Sequence, residues 1–548
     1  GGFSQGKCTN LGYAINTAPD NATVKLLRNV TLYGPLNIAT FHKNVIVDGN
    51  GFTVNSYSNG HAMKVIGKAT DITLHNFRLI NHREGVDNAY AIYMFAGATL
   101  NITGDNSYLE AYRYAIVVNQ ITTVNIAGGT FTTRDGRDIN SAALYVGSNS
   151  TVNITGGNFV GVNDGAAVFA AANFTANITI TGGKITAIAG EDGAAAIGGG
   201  YDGTGKNIRI EGNADVIAAA GEGAAIGGGT GSGNSVTITD DAVVNAYAVY
   251  GAAIGGGDSE GHLNSPSTIT ISGNATVHAE TSLGGCAIGS GRYGSCSDLT
   301  INIEKNANVT AIGSHDAPAI GNCAGTYGTT TINITGGTVN AINSFGSDDP
   351  EYSYLHDGTR DHSPAIGAKI YKDEYYDGAT CNVNINSSTG DTVVNAYIYK
   401  KGSGPAVGST IRNYNHTTYD YEYQYVPADS VSYNADGSSH FGESNSAIVN
   451  CYQNGTAKPT KLDLPSTKDD GALNYLDYHH EITGGTLTKV VHNRKYMEEN
   501  PNIDTKKLED EDLHDWKLVG KVVEPTLDAD GYADYICSID KCGQTKHV

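Results

Sequence analysis

Tyrosines interleaved with carboxylates mark three stretches of this 548-residue chain. Residues 343–363 hold Tyr352, Tyr354, Asp357 and Asp361, residues 369–380 hold Tyr375 and Tyr376, and residues 409–446 hold Tyr421, Tyr423, Asp429 and Asp436. Such a mixture suits sugars. An aromatic ring offers an apolar face while its hydroxyl stays wet, and a carboxylate accepts strong hydrogen bonds from hydroxyl groups. Two carboxylates could also do chemistry. At about 5–5.5 Å apart they suit retaining glycoside hydrolysis, and at about 6.5–9.5 Å inverting hydrolysis. For such an enzyme Asp429, Asp436, Asp357 and Asp361 are the candidate catalytic groups, and the six tyrosines the ligand-binding platform. Two plainer readings compete. The residues solvate loops or form a subunit contact, where Tyr is favoured, or the acids hold calcium without catalysis. No catalytic signature decides among them.

Cysteine is the other reactive type, with eight copies. Cys286, Cys296, Cys323 and Cys381 fall in neighbouring repeats, and Cys537 and Cys542 lie near the end. Their spacing is wider than a zinc site needs, so no metal ligand set is expected. Structural disulfides in an oxidising compartment are the expected use, with connectivity left open. Calcium is the one cofactor the acidic stretches admit.

The elements that position these residues are repeats. Ala followed by an apolar residue recurs every 24–29 residues from Ala62-Met63 to Ala253-Ile254. It continues at longer steps through Ala287-Ile288, Ala319-Ile320, Ala365-Ile366, Ala406-Val407 and Ala447-Ile448. A second series keeps pace, including Leu100-Asn-Ile102, Val124-Asn-Ile126, Val152-Asn-Ile154 and Ile301-Asn-Ile303. Each member alternates apolar and polar with period two, so one face is buried and one is wet. Glycines such as Gly198-Gly-Gly200 and Gly227-Gly-Gly229 allow backbone with positive φ. Helical periodicity is absent. The expected fold is therefore all-β: a right-handed, single-stranded parallel β-helix of about thirteen or more coils with a small C-terminal appendage. Stacked coils share one core, which overrides the several domains that length alone would suggest. Residues 1–21 are expected to form an N-terminal cap, residues 22–485 the helix, and residues 486–548 a C-terminal cap or small β module. Because the coils stack, the three long insertions should meet on one flank, where loops on a rigid scaffold carry function.

Composition excludes several partners. Only 16% of residues are charged, against roughly 25% in an average chain. The formal net charge of −22 disfavours nucleic acid and anionic membrane surfaces. No run of 18 apolar residues is present, so no membrane insertion is expected. The opening Gly-Gly-Phe suggests a processed or trimmed piece of a larger protein.

Val45-Ile-Val-Asp-Gly-Asn-Gly51 and Asp71-Ile-Thr-Leu-His-Asn-Phe77 resemble the opening coils of pectin-lyase-like right-handed β-helix proteins. The Ala-Ile-Gly-Gly-Gly and Asn-Ile-Thr-Gly-Gly-Thr coils resemble repeat regions of secreted or wall-attached proteins of Gram-positive anaerobes. The resemblance covers roughly residues 20–485 and implies fold and an extracellular, secreted or cell-surface location. Pectate lyases carry a calcium-binding Asp cluster and a catalytic Arg, but Arg134-Asp-Gly-Arg-Asp138 has no matching acidic stack in the sequence. A retaining β-helix family of lacto-N-biosidases uses two Asp in such loops, for which Asp429 and Asp436 are the pair to test. The leading expectation is a structural or adhesive surface module whose partners are a glycan or copies of itself. A lacto-N-biosidase-like glycoside hydrolase is the alternative.

Overall fold

A computed structural model describes residues 7–40, 43–86, 88–134, 141–147, 149–161, 166–170, 177–189, 193–200, 207–229, 235–258, 267–292, 298–313, 317–325, 328–343, 363–372, 380–386, 392–399, 405–415, 420–427, 447–462, 464, 476, 478–492, 516–523, 532–537 and 545–547. These are all-β apart from one helix, Leu11–Thr17. The strands form long parallel sheets in which each strand pairs with its counterpart one repeat later. Such pairing is compatible with a solenoid.

Three ladders run through the sheets. In the first, Val45 lies beside Ile72, then Leu100, Val124, Val152, Ile178 and Ile208 in turn. These side chains are fully or almost fully buried, and the residues between them are half-exposed. Alternation in sequence has thus become inside and outside. On the wet face, Asn125 Nδ2 donates to Asn101 Oδ1 at 2.8 Å, and Asn153 Nδ2 to Asn125 Oδ1 at 2.9 Å. The second ladder follows the shorter strands, from Val30–Leu32 through Thr53–Ser56 and Arg78–Asn81. The first two ladders merge where Thr123–Thr133 and Thr151–Val160 run continuously through both.

The third ladder is the Ala-apolar series. Met63, Ile92, Ile116, Leu144, Val168, Ile197, Ile226, Ile254, Ile288, Ile320, Ile366 and Val407 occupy one register column. Ala196, Ala225, Ala253 and Ala287 beside them are completely buried. A column of glycines accompanies the later rungs. Gly198, Gly227, Gly255, Gly289, Gly321, Gly367 and Gly408 are in register, with φ between +141° and +145°. L side chains rarely adopt that conformation. A Cβ on Gly255 would also sit 1.9 Å from the carbonyl oxygen of Gly289.

The last expected member departs from this series. Ile448 pairs with Val393 in the second ladder, not with Val407. The third ladder is instead closed by an antiparallel strand, Asp420–Pro427, folding back on Val407–Asn415. The second ladder ends likewise, with Tyr478–His492 antiparallel to Ile448–Lys461. That strand crosses the boundary expected at residue 485. At the other end, the short helix covers the first rungs. Its Ile15 is fully buried, Asn16 Nδ2 donates to Asn37 O at 2.8 Å, and Ala39 N–H donates to Asn16 Oδ1 at 2.9 Å. Trp516–Val523, Tyr532–Cys537 and Thr545–His547 form a separate three-stranded antiparallel sheet.

Candidate functional site

Much of the expected site lies outside the described residues: Tyr352, Tyr354, Asp357, Asp361, Tyr375, Tyr376, Asp429, Asp436, Cys296 and Cys542. Tyr421 and Tyr423 are described, but they do not sit in an irregular loop. They belong to strand Asp420–Pro427, where Tyr421 pairs with Tyr414 and Tyr423 with Arg412. Part of the expected 409–446 loop is therefore a hairpin, because its alternating Tyr-x-Tyr-x-Tyr residues satisfy strand preference as readily as they solvate a loop. The first residues of the 369–380 stretch likewise continue strand Ile366–Lys372.

The cysteine expectation needs correction for the described thiols. Cys286, Cys323 and Cys381 are free rather than bonded. Cys286 and Cys323 share one small buried cluster with Ala317, and Ser290 Oγ lies 3.9 Å from Cys286 Sγ and 3.3 Å from Cys323 Sγ. Burial pushes the Cys381 thiol up to about 12, which suits an unreactive thiol packed against the core. Cys537 ends strand Tyr532–Cys537. Among the described residues no group of three or more His, Cys, Asp or Glu could hold a metal ion.

The clearest chemical surface lies on the early rungs of the second ladder. Each strand there is followed at the same place by a polar or aromatic residue: Tyr33, Tyr57, His82, Tyr112 and Arg134. Register is enforced by the backbone, since Tyr57 N–H donates to Leu32 O at 2.8 Å, His82 N–H to Ser56 O at 2.7 Å, and Arg134 N–H to Ala111 O at 2.8 Å. Repetition therefore stacks the rings. Tyr33 and Tyr57 centroids are 6.0 Å apart at 23°, and Tyr57 and His82 are 5.0 Å apart at 19°. Tyr33 is 83% exposed and Tyr57 48% exposed, so their outer faces meet solvent.

Polar groups border the rings. The His82 Nε2 lies 2.8 Å from Asn55 Oδ1. Arg134 Nε donates to Glu110 Oε1 at 2.8 Å, and its second nitrogen lies 2.7 Å from the same oxygen. Glu84 approaches Arg134 at 3.8 Å. Tyr108 donates its hydroxyl to Glu110 Oε2, and the Arg78 guanidinium sits 4.7 Å over the Tyr108 ring. Burial, then the charge of Arg134, holds His82 below the ordinary imidazole value, against the pull of Glu110. Burial first, then the hydrogen bond to Glu110, pushes the Tyr108 phenol well up. Both Glu110 oxygens are thus engaged, so this carboxylate fixes neighbours and is poorly placed to transfer protons.

A second aromatic group lies on the neighbouring third ladder. His61 stacks on Tyr93 at 4.5 Å and on Tyr90 at 5.0 Å, and Tyr90 meets Tyr114 edge-on at 5.1 Å. Asn81 Nδ2 ties the two regions by donating to Gly60 O at 2.9 Å and Tyr90 O at 3.0 Å.

Sequence reasoning missed this flank. Tyr33, Tyr57 and His82 are scattered singly in the chain, and only their common offset after successive strands could have joined them. The sequence around Arg134 shows no matching acidic stack, yet Glu110 stands on the adjacent rung, 24 residues earlier. No protein-family model matches the chain, and no curated protein or solved structure does either.

Proposed function

We propose that this chain is an extracellular, right-handed parallel β-helix module that serves as a stiff adhesive scaffold and binds glycan on the flank of its early coils. The observation that carries the reading is the rung-to-rung stack of Tyr33, Tyr57 and His82, exposed on its outer side. Rings locked at rung spacing offer a flat apolar strip at little entropic cost, because their backbone is already fixed. Asn55, Glu84 and Arg134 beside the strip supply donors and acceptors suited to sugar hydroxyls. Binding fits this chemistry better than hydrolysis, since Glu110 is held on both oxygens. The extracellular assignment rests on the resemblance of the repeats to those of secreted or wall-attached proteins.

Glycan-array screening of the intact chain and of a Tyr33→Ala/Tyr57→Ala variant tests the reading. Each stacking ring contributes on the order of 1 kcal/mol, so the variant should bind its best glycan about tenfold or more weakly. Equal binding by both proteins removes the site from this flank.

A further inference from the structure

The hairpin of Ile448–Lys461 and Tyr478–His492 lies far from its own sequence neighbourhood. It joins the second ladder through one short parallel edge, Ile448 to Tyr452 against Val393 to Tyr397. Beyond that edge its two arms pair with each other, Lys461 opposite Tyr478. The arms then run back over a single register column: Ala219, Tyr247, Glu280, Ile312, Ile342, Tyr397 and Tyr452. Ile482 packs with Ile312, Ile342 and Tyr397, while Leu476 packs with Ala219, Tyr247 and Leu283. The covered residues of the column are buried although they sit outside the main core.

One member of the column is charged. Glu280 is buried, and it receives the His480 N–H at 2.9 Å, His480 Nδ1 at 2.5 Å and His278 Nε2 at 3.1 Å. The His480 contacts bridge 200 residues of sequence. Tyr247, His479 and Glu481 complete the surroundings, with the His278 and His479 rings 5.8 Å apart and Tyr247 5.7 Å from His278. A carboxylate in an otherwise apolar column is a poor adhesive compared with another isoleucine, but it is specific: only a correctly seated hairpin satisfies it. The base of the hairpin is built to bend. Register shifts separate Gln453, Thr456 and Ala457 from their neighbours, Asn454 has φ +51°, and Gly484 has φ +155°. Gly455 and Gly485 let the base lie close on Tyr397, where an added Cβ would come within 3.1 Å of that ring residue.

We propose that this hairpin is a reversible strap, fastened by Glu280 to His480, which opens as one unit without unfolding the ladders beneath it. Opening uncovers the apolar column from Tyr247 to Tyr397 while leaving the third ladder and the early rungs intact.

Hydrogen exchange followed by mass spectrometry on the intact chain tests this, comparing wild type with Glu280→Gln. The variant replaces a carboxylate that accepts all three bonds with a neutral amide carrying one acceptor oxygen, a loss worth about tenfold or more in the opening equilibrium. Exchange should rise together in residues 457–461 and 478–482, with the ladder strands Val243–Ala248 and Thr276–Thr281 beneath them, and Ile92–Phe95 and Tyr114–Val118, unchanged. Unchanged exchange in 457–461 and 478–482 overturns the latch. An equal rise in the early rungs overturns the separate unit. The second variant is His480→Ala, which should open the strap as Glu280→Gln does. His480→Asn keeps a side-chain donor near the Nδ1 position and should restore protection, and failure of that rescue also counts against the latch.

Discussion

At the scale of residues, the glycine column is the least replaceable feature. Gly255 combines φ +141° with a carbonyl oxygen 1.9 Å from where a Cβ would stand. Both defects act in the folded state and neither can be relieved by a rotamer change. Gly255→Ala should therefore destabilise the chain by about 1–3 kcal/mol from backbone strain alone, and more from the clash. Chemical denaturation of the variant would measure this, and a midpoint equal to wild type would show that the column can relax. The sequence makes these glycines visible as Ala-Ile-Gly repeats and predicts their positive φ. It does not make Glu280 visible. That residue alternates like any outward-facing strand position, and its partner His480 stands next to a second histidine with nothing to distinguish it. The same holds for Tyr33 and Tyr57, whose meaning is set by register and not by neighbours in the chain.

At the scale of elements, period-two alternation and the Ala-apolar pairs suffice to place strands. Ala225 shows why the pairs matter. It is completely buried, its carbonyl accepts from Ile197 N–H at 3.0 Å, and the rungs on either side stack directly against it. Leucine at this position has no space to occupy. Ala225→Leu should cost roughly 1–3 kcal/mol, read as a lower thermal midpoint with unchanged secondary structure by circular dichroism. An unaltered midpoint would mean that the column is loosely packed. What the alternation could not reveal was strand direction. Ile482-Thr-Gly-Gly485 has the composition of a repeat, yet it lies on a returning antiparallel arm. Ala447-Ile448 has the pattern of the third ladder, yet it joins the second. Parallel and antiparallel pairing place the same demands on side-chain alternation, so only three-dimensional register separates them.

At the scale of the whole molecule, a stacked β architecture must manage its two ends, because open strand edges and bare rungs invite association. The short helix Leu11–Thr17 covers the first rungs with Ile15 and Asn16. The other end is handled by the antiparallel strands Asp420–Pro427 and Tyr478–His492, which finish the third and second ladders. The strands of Trp516 to His547 pair among themselves, and among the described residues none extends a long ladder. Strand Tyr478–His492 takes in residues 486–492 of the segment expected to be a C-terminal cap or small β module. Among the described residues the antiparallel strands, including residues 486–492, finish two of the ladders, and the small sheet is expected to be dispensable for that role. A chain ending at residue 492 should keep its thermal midpoint and its mass by light scattering. A chain ending at residue 446 loses the strap, bares Tyr397, Ile342 and Ile312, and leaves Val393–Tyr397 as an unpaired edge. The net charge of −22 opposes casual sticking, but an apolar column beside a free edge can still pair with its copy. The shorter chain should accordingly form oligomers that grow with concentration. Aggregation of the chain ending at 492 would instead assign the cap to the small sheet. A monomeric chain ending at 446 would show that the strap does not guard the end.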